Sequence, residues 1–180
     1  MAIRKITNLG HPVLRQVARE VPNDKLGSPE LKQLIADLCD TMIEYEGVGL
    51  AAPQVFESVR VFVMYGGAEE SDESSPAPIV WINPRLEFEG DAQAEGWEGC
   101  LSIPDLRGRV SRHEAVVVSG YDARGEHRSV RYEGFSAVVV QHEFDHLEGV
   151  IFMDRMKDMK SLTYVREFDR YWQTPEKEEE

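Results

Sequence analysis

QHEFDHLEG, residues 141–149, carries two histidines four positions apart, with a glutamate beside the first. The apolar run Ala137-Val138-Val139-Val140 precedes it and predicts a central helix, capped by Ser136 and ended by Gly149. On a helix, His142 and His146 share one face, so both imidazoles can reach one cation. Uncompensated imidazoles and carboxylates are costly in an apolar interior. The pattern therefore predicts a hydrolytic metal site rather than two exposed histidines.

Such a site needs a third protein ligand and leaves one position for water. No histidine follows His146, and of the downstream acids only Glu167 has a suitable spacing. Upstream, the segment GWEGCLSIPDLRGR at residues 96–109 contains Cys100, and a thiolate binds zinc or ferrous iron well. A lone cysteine is usually a core residue, so on these grounds both roles of Cys100 stay open. Cys39 lies on the apolar stripe of an earlier helix, where a core role is favoured.

The remaining pattern predicts an α+β fold rather than alternating βαβ units. Antiparallel β-strands are expected to pack around the central metal-binding HExxH helix, with one helix near each terminus. The first helix has Ser28 as its cap, Pro29 at its first position and Gly47 at its close. Strands are predicted at residues 60–64, 79–82 (stopped by Asn83-Pro84), 115–121 and 128–133, a loop at 66–78, a hairpin turn at 122–125 and a last helix at 157–172.

The composition argues against a DNA-binding protein, a membrane protein and a disulfide-rich secreted protein. The net charge is −13, which argues against DNA binding, because phosphate contacts need a basic face. No apolar run approaches the roughly 20 residues that span a bilayer, and the first residues lack the apolar block of a secretory signal. Two cysteines do not form a disulfide framework. We expect a single catalytic domain over residues 1–175 and an acidic tail at 176–180.

A third segment, GVGLAAPQ at residues 47–54, is rich in glycine and alanine and ends in Gln54. Alone it would read as a loop that closes the first helix. Together with Glu98-Gly99-Cys100-Leu101-Ser102 and His142-Glu143-Phe144-Asp145-His146, it resembles the three ordered motifs of the peptide deformylase family. Every fixed position of those motifs is matched. The resemblance extends over most of the chain, from HPVLR at residues 11–15 to IFMDRM at 151–156.

The resemblance implies an enzyme that removes the formyl group from N-formylmethionine at the start of new proteins and releases formate. It implies Cys100, His142 and His146 as metal ligands, with Fe²⁺ as the usual native metal and Zn²⁺, Ni²⁺ or Co²⁺ as alternatives. In that chemistry a metal-bound water attacks the formyl carbon, and Glu143 acts as general base and then acid. Gln54 and the backbone N–H of Leu101 would stabilise the oxyanion.

The resemblance also implies a substrate cleft. Phe135, Val138 and Val139 would line a slot for methionine, although both valines also suit a helix core, and Trp97 would lie near the rim. Main-chain groups near Gly49 would pair with the substrate backbone. The full set of expected substrate contacts is Val48, Gly49, Trp97, Gly99, Arg107, Phe135, Val138 and Val139. Arg107 suits an exposed salt bridge almost equally well.

Arg112 is expected to pair with Asp145 and brace the metal-binding helix.

The expected partners are N-formylmethionyl nascent peptides, without DNA or membrane contact, and a monomer is favoured over an oligomer. The ribosome is a further candidate partner, although the acidic C-terminal segment opposes contact with RNA, since like charges repel. The expected location is the bacterial cytoplasm, with an organelle as the alternative. Two competing hypotheses stay open: a zinc endopeptidase that uses His142, His146 and a distant third ligand, and a non-catalytic binding protein that resembles a deformylase.

Overall fold

The computed structural model of this protein describes residues 2–65 and 78–173. The loop expected at 66–78, apart from Pro78, and the acidic tail expected at 176–180 therefore lie outside the described residues. These residues contain four α-helices, namely α1 (Pro29–Glu44), α2 (Gly134–Leu147), α3 (Phe152–Arg155) and α4 (Val165–Tyr171). The strands in the same described ranges are β1 (Gly49–Ala51), β2 (Val61–Tyr65), β3 (Pro78–Phe88), β4 (Gln93–Cys100), β5 (Ile103–His113), β6 (Ala115–Tyr121), β7 (His127–Glu133) and β8 (Thr163–Tyr164).

The strands form two antiparallel sheets, which confirms the predicted α+β class. The larger sheet has the order β1-β2-β3-β6-β7, and the smaller has the order β4-β5-β8. β6 and β7 are joined by the predicted turn, in which Gly125 N–H donates to the carbonyl of Asp122 at 3.0 Å. None of the helices in the described residues has the length and apolarity needed to span a bilayer.

Helices α1 and α2 cover opposite faces of the larger sheet. Successive side chains of a strand point to opposite faces, and β2 is buried on both. Val61 and Val63 pack in the cluster that contains α1 residues such as Leu38. Phe62 and Met64 pack in the cluster that contains apolar residues of α2. This double burial makes α2 an interior helix and places its polar side chains inside the protein.

The predicted start of α1 is confirmed. The Ser28 hydroxyl accepts a hydrogen bond from the N–H of Leu31, and Pro29 occupies the first helical turn. The predicted close of α1 at Gly47 is confirmed, because the N–H of Gly47 donates to the carbonyl of Met42 at 2.8 Å. The residue with a positive φ at this helix end is Glu46, at 53°. Gly47 also permits a close approach, since a Cβ there would lie 2.9 Å from Cδ1 of Leu101.

The predicted start of α2 at a Ser136 cap is wrong by three residues, because the N-cap is Glu133. The helix begins at Gly134, and Glu133 at its N-cap makes no side-chain capping bond. Gly134 has a φ of 58°, a conformation that lets the chain turn directly from β7 into the helix. The predicted end is confirmed by Leu147 as the last helical residue and by Gly149, whose φ is 71°.

Asn83-Pro84 does not stop β3, which continues to Phe88. The strand instead shifts register against β6 between Ile82 and Arg85. Such a bulge accommodates a proline, which has no N–H for the ladder. Asn83 has a φ of 50°, and its side-chain amide forms two 2.8 Å hydrogen bonds with the backbone of Val21.

Two expectations about the smaller sheet are also corrected. Neither β4 nor β5 was predicted as a strand, because their sequences are polar and contain glycine. The single helix expected at 157–172 is wrong: the segment contains a 3₁₀ turn at Met159–Ser161, then β8, then the seven-residue α4. β8 pairs with β5 through Leu106 and Tyr164, and through Arg107 and Thr163. The apolar residues of this segment have helical spacing, but its pairing with β5, which is distant in the sequence, makes residues 163–164 a strand.

Candidate metal centre

Helix α2 presents His142 and His146 on one face, as their spacing predicts. Their ring centroids lie 5.0 Å apart, and both side chains are buried. The third member of the cluster comes from the last residue of β4, where the pairing with β5 shifts register between Glu98 and Cys100. Sγ of Cys100 lies 3.3 Å from Nε2 of His146.

Cys100, His142 and His146 each offer one ligand atom, and these three atoms all lie within 4.8 Å of one another. One sulfur and two imidazole nitrogens form a donor set suited to zinc or ferrous iron. The geometry therefore brings Cys100 to both histidines, while its side chain also packs against the core of the smaller sheet. Glu167, the downstream alternative, lies on α4 and is not a member of it. Cys39 packs against the α1 core, and burial raises the pKa of its thiol to about 11.

The three groups are electrostatically coupled. Burial acts to raise the pKa of the Cys100 thiol, but the charge of His146 and hydrogen bonds from both histidines outweigh it, and the pKa lies well below its usual value. Burial acts to lower the pKa of His142, but hydrogen bonds with Cys100 and Glu98 outweigh it and hold that pKa well above its usual value. The two shifts together favour a thiolate at Cys100 beside a protonated His142, and a bound cation would take the place of that proton.

Glu98 holds His142 in place. Nδ1 of His142 lies 2.8 Å from Oε2 of Glu98, which leaves Nε2 of the ring for a cation. Burial acts to raise the pKa of Glu98, but hydrogen bonds from His142 and Arg112 outweigh it and hold the pKa at about 2. Glu98 is therefore ionised and accepts the Nδ1 proton. Sequence reasoning missed this role, although Glu98 lies two positions before Cys100 and would share its face in a regular strand.

Arg112 links the strand of Cys100 to the helix of the histidines. Its guanidinium donates to Glu98 at 2.7 Å and to Asp145 at 2.6 Å, which agrees with the expected Arg112–Asp145 pair. Arg155 donates a further pair of hydrogen bonds to Asp145, at 2.6 and 3.1 Å, which the sequence did not reveal. The buried charges of Glu98, Arg112 and Asp145 therefore compensate one another.

Gln54 reaches the same centre from the 3₁₀ turn Ala52–Val55, which follows β1. Its Oε1 accepts a hydrogen bond from the N–H of Ala51 at 2.8 Å, which fixes the side chain. Its Nε2 donates to Sγ of Cys100 at 3.4 Å and to Oγ of Ser102 at 3.3 Å. An anchored amide N–H therefore faces the cluster.

Glu143 is buried beside the cluster. Burial raises the pKa of its carboxyl to about 7, and the charges of His142 and His146 only partly oppose this shift. Oε2 of Glu143 and Nδ1 of His146 are buried and make no hydrogen bond to the described residues. A buried carboxylate oxygen without a partner is costly unless water, substrate or an ion completes the site. Gly49 permits this arrangement, because a Cβ there would lie 2.5 Å from Oε1 of Glu143.

A cleft of about 700 Å³ opens at the cluster. Leu101 lies in its wall, between Cys100 and Ser102. Val139 lines the cleft and also packs in the core cluster that contains other residues of α2. The Arg107 side chain passes over Gly99, where a Cβ would overlap it. All expected substrate contacts line the cleft, namely Val48, Gly49, Trp97, Gly99, Arg107, Phe135, Val138 and Val139.

Comparisons with known proteins agree on one family. The family model described as polypeptide deformylase matches residues 3–162. The chain is 41% identical to peptide deformylase 1 of Bordetella pertussis over 167 residues, which cover 91% of this chain and 93% of the relative.

Solved structures give the same result. A ligand-bound class I type b peptide deformylase from Acinetobacter baumannii superposes with a TM-score of 0.80 at 38% identity, covering 87% of this chain and 100% of that chain. A Met-Ala-Ser-bound structure of class I type b peptide deformylase from the same organism gives a TM-score of 0.78 at 37% identity, covering 86% and 99%.

Proposed function

The chain belongs to the polypeptide deformylase family, enzymes that remove the formyl group from N-formylmethionine, and we propose that the cleft at Cys100, His142 and His146 performs this hydrolysis. The protein is thus a hydrolase of protein biosynthesis, acting on formylated nascent peptides. The observation that carries the assignment of the site is the convergence of this sulfur–nitrogen cluster with the buried Glu143 in one cleft.

We propose that Cys100, His142 and His146 hold one divalent cation, Fe²⁺ in the cell, and that Zn²⁺, Ni²⁺ or Co²⁺ can replace it. The donor set fits these ions. When bound, such a cation supplies Lewis-acid chemistry and lowers the pKa of a coordinated water to about 7. The ionised Glu98 keeps the Nδ1 proton on His142, so the ring binds through Nε2.

Glu143 is the proposed general base and acid. A carboxyl with a pKa of about 7 can both accept and return a proton near neutral pH. Its unpartnered Oε2 can accept a proton from the attacking water, and the same oxygen can then deliver it to the amine that leaves as the new amino terminus.

Gln54 and the backbone N–H of Leu101 are the proposed donors to the oxyanion that develops on the formyl oxygen. Oε1 of Gln54 is occupied by Ala51, so the amide is oriented with Nε2 toward the site. A donor that is already oriented costs no reorganisation at the moment of reaction. Removal of one such donor typically costs about 2.7–4 kcal/mol of transition-state stabilisation.

The methionine side chain is proposed to enter the slot formed by Phe135, Val138 and Val139, with Trp97 at its rim. The substrate backbone is proposed to pair with main-chain groups near Val48, Gly49 and Gly99, where the two glycines allow close approach. Arg107 lies at the same wall as a further contact. The relative from Acinetobacter baumannii that was solved with Met-Ala-Ser bound supports the use of this cleft for peptides.

We further propose a single catalytic domain over residues 1–175 followed by an acidic tail, acting as a monomer in the bacterial cytoplasm. An organelle is the alternative location. The net charge of −13 disfavours docking on ribosomal RNA. The bacterial relatives support the location.

The test is formate release from formyl-Met-Ala-Ser by anaerobically purified protein, with the metal content of the same sample measured. Acetyl-Met-Ala-Ser is the matched control, because it differs only by a methyl group at the reacting carbon. We expect rapid release from the formyl peptide, none from the acetyl peptide, and about one metal ion per chain. Cleavage of internal peptide bonds without formate release would instead indicate an endopeptidase.

A further inference from the structure

The segment Leu162–Trp172, here called the C-terminal strap, lies along the outer wall of the cleft. Its β8 residues extend the smaller sheet by pairing with β5, with Tyr164 opposite Leu106 and Thr163 opposite Arg107. Leu162 packs against the core cluster of the smaller sheet, which anchors the start of the strap. Val165, the first residue of α4, lines the cleft itself.

The far end of the strap contacts Trp97 through two aromatic rings. The ring centroid of Phe168 lies 5.0 Å from that of Trp97 at an interplanar angle of 63°, and that of Trp172 lies 5.5 Å away at 57°. Aromatic side chains have few rotatable bonds and attract one another in such tilted arrangements. Trp97 therefore packs against Phe168 and Trp172 of the strap and also lines the cleft.

The strap gives the outer rim an apolar section within charged surroundings. Trp97, Leu106 and Val165 lie in this section. Charged side chains adjoin this section, since Asp105 and Arg107 flank Leu106 in the chain, and Lys5 and Glu46 also line the cleft. A substrate whose methionine occupies the slot at Val138 must leave the cleft across the rim. The side chains that follow the methionine are therefore the ones that meet the apolar section.

We propose that the C-terminal strap is a specificity element, which positions Trp97 so that the rim favours an apolar side chain immediately after the formylmethionine. This inference rests on the proposed function, since it requires the formyl group to lie at Cys100. Phe168 and Trp172 are positioning residues that act through Trp97. They belong to neither the sulfur–nitrogen cluster nor the lining of the cleft.

The first experiment compares two peptides that differ only at the residue after the methionine, formyl-Met-Leu-Ser and formyl-Met-Ala-Ser, in wild type and in the double variant Phe168→Ala, Trp172→Ala. We expect KM for formyl-Met-Leu-Ser to rise about tenfold, because an apolar contact of this size is worth about that factor. For formyl-Met-Ala-Ser we expect KM to change less than twofold, and kcat to stay within twofold for both peptides.

Matched variants separate positioning from a loss of structure. Tyr171→Ala removes an exposed ring of the same helix that contacts Arg170 rather than Trp97, and it should leave the preference between the peptides unchanged. The conservative pair Phe168→Tyr and Trp172→Phe keeps both rings and should also retain the preference. A thermal melt of each variant verifies that it is folded.

Fluorescence gives a readout that does not depend on turnover. The chain has three tryptophans, and Trp81 is fully buried. In a Trp172→Phe background, quenching by acrylamide therefore reports mainly on Trp97. We expect Phe168→Ala in that background to increase the quenching, whereas Tyr171→Ala should not.

The outcomes distinguish the two proposals. The ratio of kcat/KM for one peptide to kcat/KM for the other is compared between the wild type and the folded double variant. If this ratio is the same in both proteins, the strap inference is overturned while the proposed function stands. An equal loss on both peptides also overturns it, because it would indicate a general structural effect. If wild type releases formate from neither peptide, the proposed function itself fails.

Discussion

The carboxylate of Glu98 lies 2.8 Å from Nδ1 of His142, in the interior of the protein. Glu98 is in turn held by Arg112, which also binds Asp145 on the helix of the histidines. A chain of hydrogen bonds thus runs from His142 on α2 through Glu98 on the strand of Cys100 to Arg112 and back to Asp145 on α2. Such outer contacts fix the orientation of the ligand groups before a cation arrives.

The first prediction concerns Arg112→Ala, which leaves two carboxylates buried without their shared partner. We expect a loss of about 3–5 kcal/mol in the free energy of unfolding, together with a reduced metal content. Urea denaturation and metal analysis of the purified variant measure these effects. Arg131→Ala is the control, because Arg131 makes its ion pairs at the surface, and little change is expected. Unchanged stability and metal content in Arg112→Ala would contradict the bracing role.

Gly49→Ala tests the close approach of β1 to the proposed base. The new Cβ would lie 2.5 Å from Oε1 of Glu143, so the carboxylate must move. A displacement of about 1 Å can lower turnover about 10²-fold, and we expect a loss of that order in kcat/KM with the metal retained. Gly96→Ala is the matched control, since nothing lies within 4 Å of a Cβ at that position. Equal activity of the two variants would argue against a positional constraint on Glu143.

Gln54→Glu separates the two ends of the Gln54 side chain. The variant keeps an oxygen that can accept from the N–H of Ala51 but removes the N–H donor that faces Cys100. We expect kcat to fall about 10²–10³-fold, with a smaller change in KM, because an oxyanion donor acts mainly in the transition state. Steady-state kinetics with formyl-Met-Ala-Ser supply both constants. A change confined to KM would assign Gln54 to ground-state binding instead.

Asp37 provides a pH prediction away from the cleft. Burial acts to raise the pKa of Asp37, but hydrogen bonds from Gln33 and Arg4 outweigh it and lower the pKa below its usual value. A pKa lowered by folding means that the unfolded state binds the proton more tightly. The stabilisation is therefore complete above about pH 4, the unfolded value, and is lost as pH falls through the folded value.

Asp37→Asn removes this titration. We expect the wild type to exceed the variant in unfolding free energy at pH 7, and the difference to shrink when both are measured in urea below pH 4. A difference that stays constant across this range would show that the charge of Asp37 contributes nothing.

The sequence predicts the centre better than it predicts the surroundings of the centre. Two histidines at helical spacing with an adjacent glutamate place three groups on one interior helix by local geometry alone. The position of Cys100 depends on a contact between the end of β4 and helix α2, and the local spacing of residues does not encode that contact. From sequence, Cys100 was predicted as a ligand only through the resemblance to a family, which depends on the segments that contain Gln54 and Cys100.

The fold elements that were missed depend on pairing between distant residues. β4 is polar and contains Gly96 and Gly99, yet it pairs with β5 along most of its length. Thr163 and Tyr164 lie within a stretch of helical spacing, yet they form a strand because β5 offers a free edge. The contact of Glu98 with His142 was not predicted for the same reason, because the side chain points inward only as part of β4, and that strand was not predicted.

The central claim is that Glu143 carries the proton while Cys100, His142 and His146 hold the metal. Glu143→Gln tests it most directly, because the variant keeps the shape of the side chain and removes its ability to accept a proton. We predict one metal per chain, as in wild type, and formate release from formyl-Met-Ala-Ser reduced about 10²–10⁴-fold. Turnover near the wild-type rate with the metal in place would contradict the account.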